Sequence, residues 1–269
     1  MGQHFGQQVV VDPRTGANGN LGAEIASKAP ADGYTLLQIT QSHTFNTSYF
    51  KKLPFDLVRD FTPITLTDLS PMIVVVHPSF PAKTIGDLIR IARAKPGAVY
   101  YSSAGVGTST YLAAELFKSV ANVNLTEVPY RSGAPSLTAV IAGEVPVYFS
   151  PIATGIPLVQ QGRLRPLAVS TLKRLPAYPD YPTVAESGVP GYEASNWHGL
   201  VAPAKTPPEI IATVQAAVIA GINRPEIATR VRDLGYTIVA GSPAEFAEFI
   251  RDDIEKWRRI VREKNLSAE

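Results

Sequence analysis

Apolar residues along the chain fall into short runs set between polar punctuation. Gln8–Val11 is a first apolar run, predicted as a strand, and Asn20–Ala29 is predicted as a helix after the turn Asp12–Gly19. Tyr34–Ile39 is a second predicted strand, bounded by Asp32-Gly33, and the polar segment Thr40–Asn46 follows its end as a loop. Met72–Val76 is continuously apolar, as a strand buried on both faces should be. Thr84 opens a helix whose Ile85, Leu88, Ile89 and Ala92 recur at helical spacing. Further strands are predicted at Val99–Tyr101, Leu125–Val128, Val145–Phe149 and Leu167–Val169, with helices between them at 109–120, 134–142 and 152–161. Gly199–Ala202 and Thr237–Val239 are strands, Pro207–Ala220 is a helix, and an amphipathic helix from Pro243 to about Lys264 closes the pattern.

Strands alternating with helices in this way indicate an α/β fold with parallel sheets, whose ligands sit beyond the carboxyl ends of the strands. The segment Tyr101–Thr110 is the most telling such end: a strand runs into a loop of small residues and then a helix. Free backbone N–H groups, hydroxyls and the helix dipole converge there, which suits a small anion. Ser103, Gly105, Gly107, Thr108 and Ser109 are therefore the leading binding candidates. A plain strand-to-helix turn with Thr108 or Ser109 as N-cap is the competing explanation.

Composition narrows the chemistry. The 269 residues carry a net charge of +2 without a basic block beyond Lys256-Trp257-Arg258-Arg259, so nucleic acid is not an expected partner. No cysteine occurs, which excludes disulfides, thiolate metal sites and cysteine catalysis. No stretch reaches the roughly 18–20 apolar residues of a membrane-spanning helix, and Met1–Gly6 lacks the basic and apolar regions of a signal peptide. The histidines at 4, 43, 77 and 198 share no metal-ligand spacing, and neither a G-x-S-x-G elbow, a phosphate loop nor a dinucleotide fingerprint is present. No catalytic residue, metal or cofactor is assigned. Glu245, Glu248, Asp252 and Glu255 are expected on a solvated helix face with Arg251, Arg258 and Arg259.

Several phrases together resemble the Bug-type, or TctC-like, receptors of tripartite tricarboxylate transporters. They are Ala31-Asp32-Gly33-Tyr34-Thr35-Leu36-Leu37, Lys52-Leu53-Pro54-Phe55-Asp56, Arg59-Asp60-Phe61-Thr62-Pro63-Ile64, Tyr101 to Ser109, Val128-Pro129-Tyr130, and Pro182 to Tyr192. The likeness extends over essentially the whole chain. It implies a two-lobed type II periplasmic binding protein, with 1–77 plus 197–269 in one lobe, 78–196 in the other, and a ligand held in the cleft. Each lobe is expected to be a mostly parallel sheet flanked by helices. The implied ligand is a small organic acid, a di- or tricarboxylate or an aromatic acid. The implied partners are the membrane components of the transporter, and the receptor is expected to be a periplasmic monomer.

The resemblance also adds site residues. Thr40, Gln41, Ser42 and His43 match a first-lobe binding loop, and Asn18 and Gly19 match a strand-to-helix turn. Tyr130 and Arg131 end a second-lobe strand. Ser150 and Ala153 follow the strand at Tyr148-Phe149, where some relatives carry an aspartate for a ligand amine; serine there favours an organic acid over an amino acid. Family members usually have a strand, a Pro-Gly-Gly loop and a helix ahead of the segment matching Gln8–Val11, whereas Met1–Gly6 resembles only the end of that helix. The Ser103–Ser109 loop is therefore expected to carry more than its usual share of the anion. Two rival readings stay open: a small α/β enzyme acting on an organic acid, and a sensory relative with the same fold.

Overall fold

Helices and strands alternate along most of the chain in the computed structural model, which describes residues 1–14 and 16–266. In order they are α1 (Gly2–Phe5), a 3-10 turn at Ala17–Gly19, α2 (Asn20–Ser27), β1 (Leu37–Thr40), α3 (Gln41–Tyr49), β2 (Phe61–Val76) and α4 (Ile85–Ala94). β3 (Tyr100–Ser103), α5 (Ser109–Val120), β4 (Thr126–Pro129), α6 (Gly133–Ile141), β5 (Val147–Pro151), α7 (Ile152–Gln160) and β6 (Arg165–Val169) follow. The chain then forms β7 (Ser195–Pro203), α8 (Pro208–Ile222), α9 (Pro225–Asp233), β8 (Thr237–Ile238) and α10 (Pro243–Glu263).

These elements divide into two compact units. The first holds Met1–Leu69, Trp197–Arg232 and the chain from Thr237 onward; the second holds Ser70–Asn196 and the short return Asp233–Tyr236. In the second unit the strand order is β6-β2-β5-β3-β4. One face of this sheet carries Tyr101 and Phe149, whose rings pack edge-on at 6.3 Å, with the ring of Phe117 of α5 tilted against Phe149 at 5.5 Å. The opposite face carries Ile73, Val75 and Tyr148 against Ala139 and Val140 of α6 and Ile152 and Ile156 of α7. In the first unit, α10 lays Phe246, Ile250 and Ile254 against Trp197, Val201 and Ile39. Its cap is a capping box: Ser242 accepts from Glu245 N, and Glu245 reaches back to Ser242 N.

The structure alters four expectations. Gln8–Val11 makes no ladder and is exposed, Val11 at 86%; three successive valines without a neighbouring strand have nothing to pair with. The second strand starts later, at Leu37, because Asp32 accepts from Tyr34 N at 3.0 Å and holds a turn there. Thr40–Asn46 is not a loop: Thr40 caps α3, and helix begins at Gln41. β3 pairs in parallel with β4 and β5, and Val169 of β6 makes a parallel bridge with Thr183, whereas β2 runs antiparallel to β5, β6 and β8, and β1 runs antiparallel to β7. The long β2 is the cause: it leads from one unit into the other and enters the second unit's sheet against the βαβ strands. The α/β class is unaffected.

Candidate functional site

The parallel set β3, β4 and β5 determines where ligand chemistry can collect. Ser103 is in register with Pro129 and Ser102 with Tyr148, so the three strands finish at one end of the sheet. α5, α6 and α7 each begin at that end, and the N-cap of none of them makes a side-chain capping bond. α4, which follows the antiparallel β2, is instead capped by Thr84, whose hydroxyl accepts from Asp87 N at 3.0 Å. Helix starts leave backbone N–H groups without intrahelical partners and carry a partial positive charge. Three uncapped starts at one strand end make it receptive to an anion.

Most hydroxyls of the Ser103–Thr110 loop are occupied in shaping it. Ser103 Oγ donates to the Glu127 carboxylate and accepts from Gly105 N at 2.9 Å. Thr108 Oγ1 donates to Gly105 O at 2.6 Å, and Thr110 Oγ1 accepts from Ala104 N at 2.9 Å. Gly105 and Gly107 take φ of 101° and 81°, a region where side chains are strained. Ser109, half-buried in the first turn of α5, is the residue whose hydroxyl meets no partner among the described residues. The open donors are thus the N–H groups of Ser109 and Thr110 at the start of α5 and the Ser109 hydroxyl. Ser103 and Thr108 support them.

Behind the loop lies a charged cluster. Glu115, 3% exposed, accepts from Tyr101 Oη at 2.8 Å and from Lys118 Nζ at 2.6 Å. Burial pushes the Glu127 carboxyl above its ordinary value, opposed by the Ser103 hydrogen bond and reinforced by the nearby Glu115 charge. Burial, with Glu115 beside it, likewise raises Tyr101. Neither glutamate stood out in the sequence; a signal was present in the alternation of β4, which sets Glu127 on the face opposite Val128.

The remaining second-unit candidates share the same strand ends. Tyr130 N donates to Ser103 O at 2.9 Å, and the Tyr130 ring packs on the α6 and α7 side of the sheet. Arg131 is exposed. Ser150 is buried, donates to Pro151 O at 3.0 Å and lies 3.2 Å from Thr154 Oγ1. Its hydroxyl is therefore turned into the first turn of α7, where Ala153 is half-buried.

The first-unit candidates form a separate, well-bonded group. Asn46 Nδ2 donates to Asn18 O at 3.2 Å and to Asn20 Oδ1 at 2.8 Å, tying α3 to the Ala17–Gly19 turn. His43 Nδ1 accepts from Thr40 N at 3.1 Å, and Thr40 Oγ1 accepts from Ser42 N at 3.3 Å. His43 also bonds the Gly19 backbone, and a Cβ at Gly19 would sit 2.8 Å from Nε2. Gln41, Ser42 and His43 thus form the first turn of a helix rather than the expected loop. Burial lowers the His43 pKa to about 4, so at neutral pH it is an uncharged strut and supplies no cation.

That burial has a pH consequence. Above pH 6.5 both folded and unfolded His43 are neutral; as pH falls from 6.5 toward 4 only the unfolded chain gains the proton, and stability is lost. The loss assigned to His43 is roughly 3 kcal/mol. Urea unfolding at pH 7 and pH 4 should show it, and His43→Gln should remove that part of the slope. A variant with the same pH slope as the parent would show that His43 titrates normally.

Among the described residues no group of three His, Asp or Glu side chains could hold a metal ion, and no helix is long and apolar enough to cross a membrane. An α/β chain of two units, with uncapped helix starts gathered at the ends of parallel strands, belongs to the class of solute-binding proteins. More specifically, residues 1–266 match the model of the tripartite tricarboxylate transporter family receptor, TctC, and the chain belongs to that family. It is 34% identical over 269 residues to the UPF0065 protein in the tcbD-tcbE intergenic region of Pseudomonas sp. strain P51, covering all of this chain and 80% of the relative. Its fold superposes on R. palustris Rpa4515 with adipate at a TM-score of 0.89 and 34% identity, covering 99% of this chain and 89% of that one. MatC (Rpa3494) from Rhodopseudomonas palustris with bound malate gives 0.86 at 28% identity, covering 97% and 90%. The family is one of transporter receptors, the periplasmic binding protein BugD has the same fold at a TM-score of 0.88 and 25% identity, covering 100% of this chain and 90% of that one, and the ligands of the first two neighbours, adipate and malate, are small carboxylates.

Proposed function

We propose that this protein is a periplasmic receptor that captures a small organic carboxylate and delivers it, as a monomer, to the membrane components of a tripartite tricarboxylate transporter. The observation that carries the reading is the start of α5, where the N–H groups of Ser109 and Thr110 and the Ser109 hydroxyl remain open while Ser103 and Thr108 are committed to the loop. Neutral donors of this kind form charge-assisted bonds with a carboxylate and need no proton transfer. Adipate and malate in the similar structures support the same ligand class.

Titration calorimetry with adipate and malate tests the assignment. Ser109→Ala should weaken binding by about 1.5–3 kcal/mol, the worth of a hydrogen bond to a charged group, with the unfolding midpoint unchanged. Unaltered affinity in that variant would remove the start of α5 from the site. Recovery of the bound acid unchanged after long incubation separates capture from turnover; its conversion would favour the enzyme reading.

A further inference from the structure

We infer that Glu127 is a positioning residue with a linked proton: as a carboxylate settles at the start of α5, Glu127 takes up a proton from solvent and releases the Ser103 hydroxyl. The inference rests on the carboxylate reading of that start and adds a proton to it.

The charges behind the loop do not balance. Glu115 and Glu127 share one cation, Lys118, whose Nζ lies 2.6 Å from Glu115 Oε1. Lys118 is committed to Glu115, so Glu127 has no ion pair and a single side-chain hydrogen bond, from Ser103, among the described residues. Tyr101 of β3, with Tyr111 of α5 beside it, is the other titratable group against the cluster, and beyond Glu127 β4 is the edge of the sheet. One uncompensated carboxylate thus stands half-buried behind a loop that receives an anion. Two like charges in a partly buried place disfavour each other, and the group that can take a proton relieves them. Burial and the Glu115 charge already raise Glu127 above its ordinary value, and a further anion acts in the same direction.

Ser103 connects Glu127 to the loop. Its Oγ donates to the Glu127 carboxylate and accepts from Gly105 N at 2.9 Å. An ionised carboxylate only accepts, so the one hydroxyl proton of Ser103 is held by Glu127. A protonated Glu127 donates to the same Oγ instead, and the Ser103 proton becomes available to another acceptor. Uptake therefore removes an opposing charge and frees a neutral donor together. One proton passes from water or buffer to Glu127; the bound acid keeps its own charge.

Titration calorimetry with adipate and with malate, at pH 6 and pH 8 and in two buffers of different ionisation enthalpy, tests this on the intact chain and on Glu127→Gln. Any proton that the acid itself exchanges is common to both proteins, so the difference between them belongs to Glu127. At pH 6 the parent should take up about half a proton more per bound acid than Glu127→Gln, and it should bind about fivefold more tightly there than at pH 8. Glu127→Gln keeps the shape without the charge. Its affinity should stay within about twofold across that range and exceed the parent's at pH 8. A Glu127 that only shapes the loop predicts weaker binding by the variant at both pH values, with the parent's slope. That result, or equal proton uptake in the two proteins, would overturn the linkage and leave the carboxylate site standing. The parent is a test by itself if the variant misfolds: equal affinity at pH 6 and pH 8 overturns the linkage. A parent that binds neither acid overturns the carboxylate reading, and the linkage with it.

Discussion

Gly199→Ala is expected to destabilise the first unit by about 3 kcal/mol or more, at the upper end of what overpacking costs. Gly199 is buried in β7, opposite Ile39 of β1. A Cβ there would lie 2.1 Å from Phe246 Cζ and 2.6 and 2.8 Å from the two Cε atoms. The ring cannot turn aside easily. It is 1% exposed, stands edge-on to Trp197 at 5.9 Å and is flanked by Phe249 at 6.5 Å. Relief requires β7 and α10 to separate, which would uncover the core both share. Urea unfolding measures the loss, and Phe246→Leu in the same chain should recover part of it because the clash is with the ring tip. Non-additivity above about 1 kcal/mol in that cycle is the expected signature of direct contact. If Gly199→Ala lies within 1 kcal/mol of the parent, the strand and helix are not as tightly apposed as described.

Much of the second unit was legible from pattern alone. The helix expected at 109–120 is α5 (Ser109–Val120), and the Thr84 start and the apolar run Met72–Val76 appear where spacing put them. Local signals sufficed there because strong apolar periodicity, caps and glycines agreed. α9 was missed, although Pro225, Glu226 and the closing Arg230 and Arg232 are ordinary helix punctuation. The N-terminal half of β2 was missed because Thr and Pro interrupt its apolar residues and only pairing makes it a strand. Gln8–Val11 failed for the converse reason: β-prone residues found no partner.

The candidate site divides in the same way. That Ser103–Ser109, Tyr130 and Ser150 share one end follows from strand-helix alternation, which the sequence displays. Which way each hydroxyl turns does not, because Glu127 decides it for Ser103 and the carbonyl of Gly105 for Thr108. The family likeness located the loops but not this allocation. His43 shows the cost: its place in a matched segment suggested a ligand contact, whereas its hydrogen bonds make it a buried brace.

Asp253→Ala should cost the first unit about 3 kcal/mol, the upper range for leaving a buried donor without its acceptor, with little from the ion pair because Lys256 is 35% exposed. Asp253 is 5% exposed on the apolar stripe of α10, between Ile250 and Trp257. One carboxylate oxygen accepts from Thr44 Oγ1 at 2.6 Å and from Trp197 Nε1 at 3.2 Å, and the other pairs with Lys256 Nζ at 2.8 Å. Removing it leaves the Trp197 indole N–H without its acceptor, while Thr44 Oγ1 keeps Gln41 O at 2.8 Å and the half-buried Lys256 ammonium turns to water. Asp253→Asn should cost less, since its amide oxygen can take the place of the one that accepts from both neutral donors. The consequence reaches the candidate residues because Thr44 follows His43 in α3, whose first turn closes on Gly19. Faster amide exchange across 40–49, with a red-shifted Trp197 emission, should therefore accompany the stability loss in Asp253→Ala. If Asp253→Ala unfolds within 1 kcal/mol of the parent and exchange is unchanged, α10 does not brace α3 through this carboxylate, and the position of His43 must be set by the Thr40 cap alone.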